Sequence, residues 1–148
     1  MTKEEFYLSE LRMHCRAMPT KTCHDRDFWV QVGRLFPQSL YKGEAFKAVL
    51  CSPDEMNFKL LNRYGYSWSH SIRGVNNFLT NGEWFDPESS GFYLVRADIF
   101  GISLKTIFET REEKSFLPIR EEEIVLLKNY GTNQVSWTCS NNYIPLAV

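Results

Sequence analysis

Apolar residues recur at mostly helical intervals near the start of the chain. Thr2 precedes this pattern as a candidate N-cap, and residues 3–17 therefore predict an opening helix. A second helix is predicted to begin at Asp25 or Asp27 and to end at Pro37, because proline cannot continue a helix.

The rest of the chain carries shorter apolar runs, several of them rich in aromatic and β-branched residues. The predicted elements are a short strand at 39–42, a short helix or turn at 44–50, a strand at 64–69, a helix around 75–79, and strands at 91–98, 123–127 and 134–138. Because helices come first and strands dominate later, we predict an α+β fold.

Length and charge limit the range of partners. With 148 residues the chain fits one domain, which we divide into a helical N-terminal part (residues 1–38) and a sheet core (residues 39–148). The 17 Lys and Arg residues are balanced by 18 Asp and Glu residues, for a formal net charge of -1. This balance provides no global basic field, so nucleic acid is not indicated as a partner.

The sequence indicates neither a secretory leader nor a membrane anchor. Its four cysteines are irregularly spaced, which predicts reduced thiols and a cytoplasmic location, in the producing cell or in a host cell. The pairs His14-Cys15 and Cys23-His24 are four potential zinc ligands. Adjacent side chains diverge on a helix or strand, however, and the usual Cys-x2-Cys spacing is absent, so we expect no metal.

Three short polar elements follow one another along the chain: Tyr41-Lys42-Gly43, Ser67-Trp68-Ser69 and Glu121-Glu122-Glu123. Side chains alternate along strands, so the two serines are predicted on one face with the tryptophan on the other, and the outer two glutamates share a face. Two close carboxylates suit a site where a cationic substrate or transition state compensates their repulsion. The alternative is a Ser-rich edge strand and a solvated loop end, which the spacing alone favours.

In combination these elements resemble the Arg-Ser-Glu class of mono-ADP-ribosyltransferases, which includes actin-modifying bacterial toxins and phage enzymes. The class has an aromatic-Arg pair at a strand end, a Ser-Thr-Ser strand followed by a helix with a Phe, and a Glu-x-Glu that enters an apolar strand. The matching residues here are Tyr41-Lys42, Ser67-Trp68-Ser69 with Phe78, and 121–126. An apolar strand with a basic residue (92–98) and Gly131-Thr132 also fit, and the resemblance covers Ser39 to Val135.

The resemblance implies N-terminal helices packed on two mostly antiparallel sheets around a cleft for NAD, the co-substrate. It implies that Glu123 is the catalytic glutamate, which stabilises an oxocarbenium-like centre as nicotinamide leaves. Glu121 would orient or deprotonate the acceptor, an arginine on a protein target. Ser67 would hold the catalytic glutamate by a hydrogen bond, and Ser69 would line the strand near the ligand.

The same resemblance implies contacts to the cofactor and to the target. Tyr41, Lys42, Gly43 and Phe78 would bind NAD, and Phe116, in the loop from residue 110 to residue 120, would recognise the target protein.

Two residues depart from the family pattern. Lys42 offers a point charge where the family has an arginine fork, and Trp68 replaces a small hydroxyl residue. Because of these two departures, an alternative is a degenerate, non-catalytic member of the family that binds a nucleotide or a host protein. Further alternatives are NAD hydrolysis without an acceptor and an unrelated α+β domain.

Overall fold

The computed structural model describes residues 1–16, 25–50, 57, 67–80, 92–111, 117–127 and 135–140. The helices are α1 (Lys3–Arg16), α2 (Arg26–Leu35), α3 (Ile72–Thr80), α4 (Leu104–Phe108) and α5 (Leu117–Arg120), and a 3-10 turn spans Pro37–Ser39. The strands are β1 (Leu40–Leu50), β2 (Ser67–Ser69), β3 (Phe92–Ser103), β4 (Glu123–Leu126) and β5 (Val135–Ser140). Across these ranges no helix has the length and apolar composition needed to cross a bilayer.

The two N-terminal helices begin at the predicted caps. The Thr2 hydroxyl accepts from the Glu5 amide at 3.1 Å, and the Thr2 amide donates to the Glu5 carboxylate at 3.4 Å, which forms a reciprocal capping box. The Asp25 carboxylate accepts from the Phe28 amide at 2.9 Å and starts α2. Both helices pack on a buried cluster with parts of β3, β4 and α4, so the helical N-terminal part belongs to the main core.

The strand predicted at 39–42 is confirmed from Leu40 onward, but the helix or turn predicted at 44–50 was wrong. In place of a short strand and then a helix or turn, β1 is one strand of 11 residues. Its residues pair antiparallel with β3 along the whole length, from Leu40 opposite Ile102 to Leu50 opposite Phe92. Ala, Glu, Lys and Leu are among the residues most favoured in helices, but the preference is small per residue, and a complete ladder with a neighbouring strand outweighs it.

Four strands close into a ring. β1 pairs with β2, β2 with β4, β4 with β3, and β3 again with β1, and every pairing is antiparallel. β5 adds to the free side of β3 as a fifth strand. Closure satisfies backbone groups that a sheet of four strands would otherwise leave at two open edges.

Alternate positions of the ring strands face inward. Residues of all four strands form one buried apolar cluster, and the shared face of a closed ring is its inside. Trp68 belongs to this cluster and is 2% exposed, which confirms that it lies on the face opposite the two serines. The opposite faces of the strands contact the helices, since Phe46 packs with Val75 and Leu79 of α3.

The described strands belong to one sheet, and its first four members close on themselves. The arrangement of two sheets around a cleft therefore stays a prediction. Helices α4 and α5 were not predicted from the sequence; α4 begins at Ser103, whose hydroxyl accepts from the Thr106 amide at 3.2 Å as an N-cap.

Candidate functional site

A row of side chains crosses the outer face of the ring from one strand to the next. Glu123 lies directly opposite Ser69, Ser69 opposite Phe46, and Phe46 opposite Arg96. Opposite residues of antiparallel strands project on the same side of the sheet. Arg96, Phe46, Ser69 and Glu123 thus form what we call the outer row, with a cation at one end and a carboxylate at the other.

Helix α3 packs over the middle and the acidic end of the outer row. A Cβ placed on Gly74 would collide with the carbonyl oxygen of Glu121 and would lie 3.0 Å from the Ser69 Cβ. Ser69 is 7% exposed and Glu123 2% exposed. Phe78, a residue of the same helix, is partly buried against the cluster that contains Phe46. The glycine thus lets the helix backbone approach the row closely.

The acidic triplet does not alternate as a strand would. Strand β4 begins at Glu123, whereas Glu121 and Glu122 form the turn before it, and Glu122 has a φ of 53°. All three are buried, with exposures of 9%, 9% and 2%. Glu121 is therefore not part of a strand, and the prediction that it shares a strand face with Glu123 was wrong. The turn still keeps the three residues together.

Glu122 is held in its left-handed conformation by three hydrogen bonds. Its amide donates to the Ile119 carbonyl at 3.1 Å, its carbonyl accepts from the His70 amide at 3.0 Å, and its carboxylate accepts from the Ser71 hydroxyl at 2.7 Å. A positive φ costs a non-glycine residue roughly 1–2 kcal/mol, so these bonds offset a local strain.

A second polar group lies at one end of the ring. Strands β1 and β4 begin there and β2 and β3 end there, which brings together Tyr41, His70, Ser103 and Glu122. We call these four residues the mouth cluster. The Tyr41 ring contacts the His70 ring at a centroid distance of 4.5 Å, and His70 Nε2 lies 2.7 Å from Ser103 Oγ.

Ser103 is the hydrogen-bond partner of the His70 ring. Ser103 Oγ accepts from the Thr106 amide at 3.2 Å and from the Thr106 hydroxyl at 2.9 Å, so its own proton is available for His70 Nε2. A hydroxyl that donates to Nε2 requires a neutral imidazole. Burial and the nearby Lys105 lower the pKa of His70, and Glu122 and Glu109 oppose the shift less strongly.

Tyr41 and Gly43 form a local structure at the start of β1. Gly43 has a φ of 154°, and a Cβ there would lie 3.3 Å from the Tyr41 hydroxyl, so the absent side chain leaves room for the tyrosine. That hydroxyl donates to the Glu44 carbonyl, and burial, with Glu44 and Asp98, raises the pKa of Tyr41. Both residues thus have structural roles besides the predicted contact with NAD.

The predicted site residues are only partly brought together. Ser67 lies opposite Val125, not opposite Glu123, and is exposed. Lys42 is exposed and lies opposite Phe100, four positions before Phe46 on the same strand. At about 3.3 Å per residue this places it roughly 13 Å along β1 from the outer row.

The remaining sequence predictions fall partly outside the described residues. Phe116 lies there, as do Cys23 and His24 of the zinc alternative. Among the residues whose placement is described, no three His, Cys, Asp or Glu side chains lie close enough to hold a metal ion. Arg111, near the start of the proposed target loop, lies 3.5 Å from the Glu4 carboxylate of α1.

Sequence reasoning missed the mouth cluster as a unit. His70 directly follows the Ser-x-Ser strand, and Ser103 precedes a helix as serine caps do; these were the available signals. No local pattern indicates that the two meet across 33 positions. Comparison of the chain with protein-family models, curated proteins and solved structures gives no match.

Proposed function

We propose that the protein is an NAD-dependent mono-ADP-ribosyltransferase that modifies an arginine of a protein target. The observation that carries the proposal is the direct pairing of Ser69 with Glu123 across β2 and β4, at the buried end of the outer row. This pairing joins two elements that the sequence separates by more than fifty positions. It adds a spatial argument to the resemblance of the motifs to the Arg-Ser-Glu class.

The reaction exchanges one bond at the anomeric carbon of the nicotinamide ribose. The bond from this carbon to the nicotinamide nitrogen breaks, and its electron pair leaves with nicotinamide. A guanidino nitrogen of the acceptor arginine forms the new bond and loses a proton, for which Glu121 is the proposed base. The Glu123 carboxylate lies beside the positive charge that develops on the ribose, so its attraction is stronger in the transition state than in the ground state.

The burial of the pair suits this role. Glu123 is 2% exposed, and a charge acts more strongly in an environment from which water is excluded. We assign the positioning of this carboxylate to Ser69 rather than to Ser67, because Ser69 is the serine opposite it and is itself buried. Ser67 lies one pleat further along β2, opposite Val125.

The activity is tested with NAD labelled in the adenylate part, incubated with the protein and a broad lysate. We expect the label to be transferred to protein and to be located on arginine by mass spectrometry. Free ADP-ribose without labelled protein would instead identify an NAD hydrolase. No release of nicotinamide under any condition would contradict the proposal.

Equal substitutions of Ser69 and Ser67 test which of the two serines positions the Glu123 carboxylate. Ser69→Ala should reduce kcat by roughly ten-fold or more, because it leaves the catalytic carboxylate without a hydroxyl that positions it. Ser67→Ala, an equal change on the same strand, should have a smaller effect. If Ser67→Ala is the more damaging substitution, the pairing of Ser69 with Glu123 does not position the carboxylate.

The burial of Glu123 also favours a second candidate function. An NAD molecule must reach a carboxylate that α3 covers, and Lys42 lies away from it along β1. A domain that binds a nucleotide or a protein without turnover would need neither access to Glu123 nor a cation beside it. Calorimetry that detects tight binding of ADP-ribose or of a protein partner, together with no nicotinamide release, would favour this candidate.

A further inference from the structure

Helix α3 is attached to the sheet through a small apolar cluster of its own. Val75 and Leu79 of the helix pack with Phe46 of β1, and these three residues form the buried part of that cluster. Within the described ranges, the two larger clusters contain no residue of α3. The helix can therefore separate from the sheet while both larger cores stay packed.

Much of the remaining contact between α3 and the sheet is polar. Gly74 lies against the backbone of Glu121 and the side chain of Ser69, which is opposite Glu123. All three polar residues are buried, and so is Asn76 of the helix itself. Taking carboxylates and hydroxyls out of water costs free energy, part of which is regained when water reaches them again. Hydration of these groups therefore offsets part of the apolar contact that is lost when α3 leaves the sheet.

Two hydrogen bonds fix the chain just before α3. The His70 amide donates to the Glu122 carbonyl at 3.0 Å, and the Ser71 hydroxyl donates to the Glu122 carboxylate at 2.7 Å. Helix α3 begins at the next residue, Ile72. The mouth cluster thus anchors the point from which the helix extends across the acidic end of the outer row.

A third hydrogen bond joins the body of α3 to the acidic turn. The Asn77 side chain donates to the Arg120 carbonyl at 2.6 Å, at the residue directly before the three glutamates. The bond is exposed to solvent. Because water can replace both partners, its net contribution is small, and it can break without unfolding the rest of the molecule.

We propose that α3 is a lid that detaches locally from the sheet and exposes the Glu123 carboxylate, and that Asn77 holds the lid closed. This inference rests on the proposed function, since it gives NAD a route to a carboxylate that α3 covers in this structure. The detachment itself does not depend on turnover and can be measured without NAD.

Chemical labelling of carboxylates measures the exposure of Glu123 directly. A carbodiimide couples accessible carboxylates to an added amine, and mass spectrometry reads the rate at each residue. Asn77→Ser should raise the labelling rate of Glu123 by roughly three-fold to ten-fold, because the lost bond favours only the closed lid. Serine and asparagine have similar helix propensities, so the helix itself is little affected. Arg73→Ser, at an exposed position of α3, is the control, and the exposed Glu44 should label equally in all three proteins.

The response to urea separates local detachment from global unfolding. Labelling of Glu123 in the wild type should change little below the unfolding transition, because detachment of one short helix exposes little surface. Equal labelling rates in the three proteins, or rates that rise with urea in step with global unfolding, would overturn the inference.

Kinetics connect the lid to the proposed reaction. Asn77→Ser should raise kcat/KM for NAD by the same factor as the labelling rate, because both depend on the fraction of open molecules. A merely structural role of Asn77 would lower kcat/KM instead, and that result would overturn the inference. If Glu123 is labelled only through global unfolding while NAD cleavage still depends on it, the inference is wrong and the proposed function stands. If the lid opens as expected but NAD is never cleaved, the lid stands and the proposed function fails.

Discussion

The mouth cluster and the outer row are both polar groups assembled from distant parts of the chain, but they differ in how their charges are placed. In the mouth cluster, hydrogen bonds run from residue to residue: Ser71 to Glu122, His70 to the Glu122 carbonyl, and Ser103 between His70 and Thr106. These bonds start α4 and stabilise a strained turn, so the polar groups of the cluster have a structural role.

The outer row has a different distribution of charge. A guanidinium at one end is half exposed, and a carboxylate at the other end is buried below a helix. Helix α3 covers Phe46 and the acidic end, so Arg96 is the member of the row that faces solvent. The polar groups of the mouth cluster thus serve the architecture through hydrogen bonds to one another, whereas the buried end of the outer row is where we assign the proposed reaction.

The largest effect on stability is expected on the side of the outer row. Gly74→Ala should lower the free energy of unfolding by about 2–3 kcal/mol, because the new Cβ meets the Glu121 backbone, which cannot move aside as a side chain could. Chemical denaturation of the variant measures this loss. Arg73→Ala, at an exposed position of the same helix, is the control and should remain close to wild type.

A smaller loss is expected in the mouth cluster. Ser103→Ala removes the N-cap of α4 and the partner of His70, and should cost about 1–2 kcal/mol. Because the cluster is assigned to architecture, ADP-ribose binding measured under folding conditions should be retained. The comparison of the two regions breaks down if this variant is fully stable yet loses ADP-ribose binding. Ser9→Ala, at an exposed position of α1, is the matched serine control.

The smallest effect is a dependence of stability on pH that comes from His70. Its pKa is lowered in the folded protein, so the unfolded chain binds the proton more tightly. The contribution of the neutral imidazole is therefore fully present above its unfolded pKa of about 6.5 and is lost as the pH falls through the lowered folded value.

The pH dependence can be isolated by comparing the wild type with His70→Gln. The difference between their free energies of unfolding should shrink as the pH falls from about 7.5 to about 5, because the stability of the wild type alone falls with protonation at this position. A difference that stays constant over this range would show that His70 does not titrate differently in the folded protein.

Much of the fold follows from local signals in the sequence. The caps at Thr2 and Asp25 and the helical spacing around Val75 each predicted an element that the structure contains. The error at residues 44–50 has a physical cause: Ala, Glu and Lys suit a helix, but the ladder to β3 decides the conformation. That ladder joins positions about fifty residues apart, which local propensity cannot report.

The sequence predicted which residues belong to the candidate site, but not which of them lie opposite one another on paired strands. The motifs selected both serines and both glutamates, yet which serine faces Glu123 depends on the pairing of β2 with β4, and a slip of two residues exchanges Ser67 for Ser69. Glu122 was assigned to the opposite strand face, because its positive φ cannot be read from three identical residues. Arg96 is the basic residue of the strand 92–98 that fits the family pattern, but its place in the row depends on the pairing of β3 with β1, which no motif encodes.

The most direct test of the central claim is nicotinamide release from NAD by three proteins: the wild type, Glu123→Gln and Glu122→Gln. The two substitutions are the same change at neighbouring buried positions, one in the outer row and one in the mouth cluster. We expect Glu123→Gln to lose roughly a hundred-fold or more in kcat, and folded Glu122→Gln to keep most of its activity. Equal release by all three proteins, or a selective loss in Glu122→Gln, would contradict the assignment of the outer row as the catalytic site.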